Sequence, residues 1–151
     1  MIQLIPPEAK AWIGRSALPI TLRVTRRDIR KYAAATGQSL PKYVDGDEAP
    51  PLFHFDVFRD IVSLDQMHPD GLTEDPLIPK LPLKHVLFGG QETTYHRTIR
   101  PGDVLVGTRT LQDIYEKSGS SGPLIFVVIG LNVTTETGEP VLTEATTLIL
   151  R

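Results

Sequence analysis

Leu124-Ile125-Phe126-Val127-Val128-Ile129 is an unbroken apolar run, rich in β-branched residues and preceded by Ser118 to Pro123, a Gly/Ser-rich turn. Six apolar residues bounded by turn signals describe a strand covered on both faces, which belongs near the middle of a sheet. The run opens a predicted strand from Leu124 to Thr135. Around it, Val86 to Ile99, Val104 to Tyr115 and Val141 to Leu150 read as three more strands, each bounded by Gly, Pro or Ser. Four strands in succession favour an antiparallel sheet. Ser118 to Gly122 lies between two of them, so it reads as a hairpin turn; a phosphate-cradling loop would open a helix instead.

Upstream, Leu18, Ile20, Leu22 and Val24 alternate with period two and predict a further strand. Thr25 with Asp28 three residues on is a helix start, and Ile29, Tyr32, Ala33 and Thr36 keep helical spacing until Gly37. Pro50 and Pro51 introduce Leu52 to Leu64, whose wide apolar surface predicts a second, deeply buried helix. Asp65 to Lys84 contains Pro69, Pro76, Pro79 and Pro82 and reads as an irregular flap. Strand, two helices and an antiparallel meander predict an α+β fold, the hotdog arrangement, in which a curved sheet wraps a central apolar helix. A lone copy of such a sheet leaves an open edge, so a second hotdog unit is the expected partner.

The bulk properties narrow the function classes. With 151 residues, 40% hydrophobic and 23% charged, the chain is expected to form one domain spanning residues 1–151. A net charge of −2 gives no field for gathering nucleic-acid backbones, and the basic run Arg23, Arg26, Arg27, Arg30, Lys31 is local. No cysteine is present, which excludes disulfides and thiolate zinc sites and fits a reducing cytoplasm. Met1 to Lys10 lacks the apolar stretch of a signal peptide or membrane span. A soluble cytoplasmic protein with neither nucleic-acid nor membrane partners is expected.

Tyr32-Ala33-Ala34-Ala35-Thr36-Gly37, Pro41, Tyr43, Asp45 and Ala49-Pro50-Pro51-Leu52-Phe53 carry a resemblance, continued by Gly89-Gly90-Gln91-Glu92, Tyr95-His96-Arg97, Ile99-Arg100-Pro101-Gly102-Asp103 and Gly138-Glu139-Pro140-Val141. In order and approximate spacing they resemble the N-terminal domain of MaoC-like dehydratases. The resemblance implies a hotdog domain serving (R)-specific hydration of enoyl thioesters, or the reverse dehydration of 3-hydroxyacyl thioesters. The substrate would be carried on coenzyme A or acyl-carrier protein, with no further cofactor. Such chemistry needs a base for water, an acid for the α-carbon and donors for the thioester oxygen. Active members use a Gly-Asp-x-Asn-Pro-x-His run. Here Gly37-Gln38-Ser39-Leu40-Pro41-Lys42-Tyr43 stands in its place, with Gln38 for the Asp and Tyr43 for the His. An amide takes no proton at neutral pH, and a phenol of ordinary pKa is a poor substitute for imidazole. The resemblance therefore implies a subunit that shapes an acyl pocket while a separate hotdog chain supplies Asp and His. Two alternatives stand beside it: a stand-alone homodimer acting as thioesterase or variant hydratase, and a non-enzymatic acyl-thioester binding domain.

Candidate substrate-lining residues are Leu52, Phe53 and His54, and Gly89 and Gly90, where absent side chains permit close approach. Arg97, Arg100 and Arg109 suit the phosphates of coenzyme A, or else strand-face solubility. Asp45, Asp47 and Glu48 are either a replacement base or a solvated loop. His85 and His96, even with Asp65 or His68, lack ligand spacing, so no metal is expected.

Overall fold

The computed structural model describes residues 4–55 and 57–151. Five strands form one antiparallel sheet in the order β1-β3-β4-β5-β2, with β1 Ile20–Arg23, β2 Val86–Tyr95, β3 Val104–Gly119, β4 Gly122–Thr135 and β5 Pro140–Leu150. The apolar run at 124–129 lies on β4, the middle strand, as its composition requires. Ile125, Val127 and Ile129 point into the core, while Phe126 stacks on Tyr115 of β3 with centroids 5.0 Å apart. Register shifts between Leu111 and Asp113, and between Phe88 and Gly90, bend the sheet. At the second of these a Cβ on Gly89 would lie 2.8 Å from Ile149, so the glycine admits β5 at close range.

Three short helices lie ahead of β2: α1 Pro7–Lys10, α2 Arg26–Ala35 and α3 Pro41–Val44. In α2 the Thr25 hydroxyl caps the Asp28 N–H at 3.1 Å, and Ile29 and Ala33 form the buried stripe.

The sheet carries two core clusters along its inner face. One gathers Val24, Ile29, Phe53, Phe58, Ile99, Leu105, Val133, Val141 and Leu142. The other gathers Ile5, Ala9, Leu77, Leu111, Ile114, Ile125, Val127, Ile129 and Leu150, with Trp12, Ile78, Leu81 and Leu83 packed against it. The flap is thus half docked: its second part covers the sheet, and Leu77 and Pro79 are buried.

The predicted buried helix over Leu52–Leu64 is corrected by the structure. Among the described residues this stretch holds tight turns and one 3-10 turn, Leu64–Gln66, and no α-helix. Phe53, Phe55 and Val57 donate their N–H groups to the carbonyls of Pro50, Leu52 and His54, three residues back, where an α-helix would reach four. Leu52 sits at φ 64, in the left-handed region, with its N–H bonded to the Tyr95 hydroxyl at 3.0 Å. The aromatic and β-branched side chains of the stretch are also weak helix formers. Turning this way buries Phe53, His54 and Phe58 and leaves Phe55 58% and Ile61 102% exposed. The Phe58 ring takes the space over Gly107, where a Cβ would lie 2.2 Å from it.

Candidate functional site

Where a long helix would have crossed the inner face, a gap remains between the two core clusters. Ile129 and Leu131 of β4 and Leu148 of β5 floor it, Phe55, Phe58 and Phe88 wall it, and the space is about 150 Å³. Beside it lies a second, more polar cavity of about 310 Å³, lined by Lys42, Tyr43, Glu48, Pro50, Pro51, Tyr95, His96 and Arg97. His54 is a wall of both.

His54 is held by β5 and β2. Glu144 Oε2 accepts from His54 Nε2 at 2.6 Å, from Gln91 Nε2 at 2.6 Å and from Thr93 Oγ1 at 2.8 Å. A carboxylate in that position only accepts, so Nε2 carries the imidazole proton. His54 is 2% exposed, Nδ1 is buried with no hydrogen-bond partner among the described residues, and Tyr95 meets the ring edge-to-face with centroids 5.9 Å apart.

On its β3 side the apolar slot is ionic. Asp75, from the flap, accepts from Arg59 at 2.7 Å, from Arg109 of β3, and from the Leu77 N–H at 3.1 Å. Burial pushes the Asp75 carboxyl up, but the two guanidinium groups and the backbone donor outweigh it and hold the group below the ordinary carboxylate range.

Of the residues singled out in the sequence, Leu52, Phe53 and His54 share the turn beside the two cavities, with Phe53 in the core and Leu52 partly exposed. Gly89 serves the bulge against β5, and Gly90 has open space where a side chain would project. Arg97 reaches the polar cavity, but its guanidinium makes a two-pronged bond to Asp103 at 2.9 and 3.0 Å. That pairing outweighs burial and holds Asp103 below its usual range as well. Gln38 and Tyr43 are not brought together: Tyr43 lines the polar cavity, whereas Gln38 lies in a separate groove with Arg26, Arg27 and Arg30 of α2.

Asp47 pairs with Arg26 at 2.5 Å, and Glu48 pairs with Lys42 at 3.0 Å and Arg100 at 3.5 Å, so the acidic loop is tied to nearby cations. Among the described residues no group of His, Asp and Glu could hold a metal ion, and no helix is long and apolar enough to cross a membrane.

Glu144 and Asp75 were not anticipated, and Arg109, singled out for phosphates or strand-face solubility, is instead the inward partner of Asp75. For two of them the signal was present. Glu144 alternates in phase with Leu142, Leu148 and Leu150, and Arg109 with Leu105, Gly107 and Leu111, so both belong to inward positions where a charge needs a partner.

The family model for the FAS1-like, dehydratase domain region matches residues 11–144. A protein of Streptomyces griseus subsp. griseus described as UPF0336 is 32% identical over 146 residues, covering 94% of each chain. Mesaconyl-C(4)-CoA hydratase of Chloroflexus aurantiacus is 32% identical over 129 residues, 82% of this chain and 44% of the hydratase. Among solved structures, the ChsH1-ChsH2 complex of Mycobacterium tuberculosis has a chain similar in fold, with TM-score 0.67 and 20% identity over 95% of this chain and 86% of that one.

Proposed function

Because the chain belongs to the FAS1-like dehydratase family of hydratase and dehydratase hotdog domains, we propose that it is the pocket-forming subunit of an (R)-specific enoyl-thioester hydratase or 3-hydroxyacyl-thioester dehydratase, with a second hotdog chain supplying the catalytic Asp and His. The observation that carries this reading is the apolar slot left where the expected helix is missing, together with a Gln38 and a Tyr43 that line other spaces and lack the required chemistry. The slot suits the methylenes of an acyl group on coenzyme A or acyl-carrier protein.

The open sheet edge supports a partner. Among the described residues β2 pairs on one side only, and Val86, Leu87 and Phe88 along it are 46, 42 and 62% exposed, adjoining the exposed Phe55. An unpaired strand with apolar side chains is a docking edge unless covered. The Mycobacterium tuberculosis neighbour is itself a complex of two different chains, and the Chloroflexus aurantiacus relative has more than one such length in a single chain, both of which fit a paired arrangement.

Co-expression with the chain encoded beside it, native mass measurement and a crotonyl-coenzyme A hydration assay test the proposal. The lone chain should be inactive and the complex active. Hydration by the purified lone chain at an enzymatic rate would overturn it.

One observation favours a second reading, in which a homodimer acts alone: His54 and Glu144 are an imidazole and a carboxylate 2.6 Å apart at the junction of the cavities. Under that reading the lone chain turns over acyl-coenzyme A and loses the activity in His54→Gln.

A further inference from the structure

The apolar slot ends in charge. Asp75, Arg59 and Arg109 line it with His54 and Glu144, and because Arg109 and Glu144 are the register partners of Leu131 on its two sides, the ionic cluster and the His54–Glu144 pair lie across the slot floor from each other, with mostly aliphatic and aromatic side chains between. We propose that the Arg59–Asp75–Arg109 cluster is a chain-length stop, restricting the slot to short acyl tails. This rests on the reading of the slot as an acyl site and adds the substrate class it accepts.

The cluster is anchored at both ends. Arg109 occupies an inward position of β3 and is 13% exposed, and the Asp75 side chain is 4% exposed, so the pair is desolvated and committed. Asp75 also belongs to the flap, where the neighbouring Leu77 is packed with Ile5 and Leu111 in the core. The wall therefore cannot recede without undocking that packing. A tail reaching it meets ions that must stay paired, because a buried charge stripped of its partner is strongly unfavourable.

The volume sets the limit. A dry apolar cavity of about 150 Å³ holds a molecule the size of benzene, so a slot of about 150 Å³ takes a tail of about six carbons. Asp75 also lines a groove on the other side, with Trp12, Pro76 and Ile78, so it is the partition between the slot and an outer surface. Without its side chain the two spaces would join, and a longer tail could run through.

The test needs only the tail, so linear 1-alkanols from butanol to dodecanol serve as probes of the purified chain, with affinity followed by titration calorimetry. Affinity should rise about fourfold per methylene until the slot is full, near six carbons, and then level off. In Asp75→Ala/Arg109→Leu the rise should continue to about decanol, adding about a hundredfold or more, while Arg109→Lys, which keeps the charge, should retain the break. A wild-type series that climbs steadily to dodecanol overturns the stop even if the double variant fails to fold, and so does an absence of alkanol binding or an unchanged break in a folded double variant. The outcome is separable from the subunit reading: a break with no hydration by the co-expressed pair refutes that reading alone, whereas hydration without a break refutes the stop alone.

Discussion

Replacing Glu144 with Ala should be among the most damaging single changes to the fold. Its Oε2 accepts from His54, Gln91 and Thr93. Gln91 and Thr93 are half-buried and can turn toward water, but His54 is 2% exposed and its Nδ1 has no partner among the described residues, so the ring would lose its hydrogen bond to Glu144 with nothing among them to replace it. Leaving a buried donor unsatisfied costs about 1–3 kcal/mol, and the two weaker losses, about 0.5 kcal/mol each, bring the total to about 2–4 kcal/mol. For a chain of this length that is a fall in Tm of about 4–16 °C. Urea unfolding at pH 7, with thermal melts followed by circular dichroism, measures it. The apolar pair Glu144→Leu/His54→Phe should lose less than the sum of its single changes, because neither variant side chain then demands a hydrogen bond. A loss below about 1 kcal/mol in Glu144→Ala, or additive behaviour in the pair, would refute the view that Glu144 exists to satisfy His54.

Three other outcomes follow from the same geometry. Gly107→Val should destabilise by about 1–3 kcal/mol by driving its side chain into the Phe58 ring, read as a lower urea midpoint. Leu52→Gly should stabilise the lone chain by about 1 kcal/mol, because φ 64 is strained for leucine and its side chain is only partly buried; a lower Tm would contradict this. Asp75 and Asp103 are held below the ordinary value of 3.8, so the unfolded chain binds more protons below that pH. Their contribution is complete above about pH 5 and is lost as pH falls through their lowered folded values, and Asp75→Asn should flatten the acid limb of a urea-midpoint profile taken from pH 6 to 2.

The β-meander was legible because its information is local: stretches rich in apolar and β-branched residues form the strands, and Gly, Pro and Ser turns mark their ends. The middle position of β4 followed from its unbroken apolar run. The stretch after Pro51 misled because Phe53, Val57, Ile61 and Leu64 do keep helical spacing, with Phe55, Phe58 and Val62 beside them, so the pattern suggested a buried helix while the backbone turned. What decided its conformation was remote, the Tyr95 hydroxyl on the Leu52 N–H and the space over Gly107, and neither is visible within a window of neighbouring residues. The polar groups of the site were hidden for a similar reason. His54 and Glu144 lie 90 residues apart, and Asp75 reaches Arg109 across 34, so each was readable as an oddly placed charge but not as half of a pair. Gln38 and Tyr43 were legible only as departures from a motif.

The position of Trp12 has a practical consequence. It is the chain's single tryptophan, it carries Arg15 4.1 Å from its ring centroid, and it borders the groove formed by Asp75, Pro76 and Ile78. Its fluorescence is therefore a built-in optical gauge of one event, the peeling of residues 75–83 from the sheet. Comparing its emission with the far-ultraviolet signal of the strands would separate that local release from global melting without any attached label.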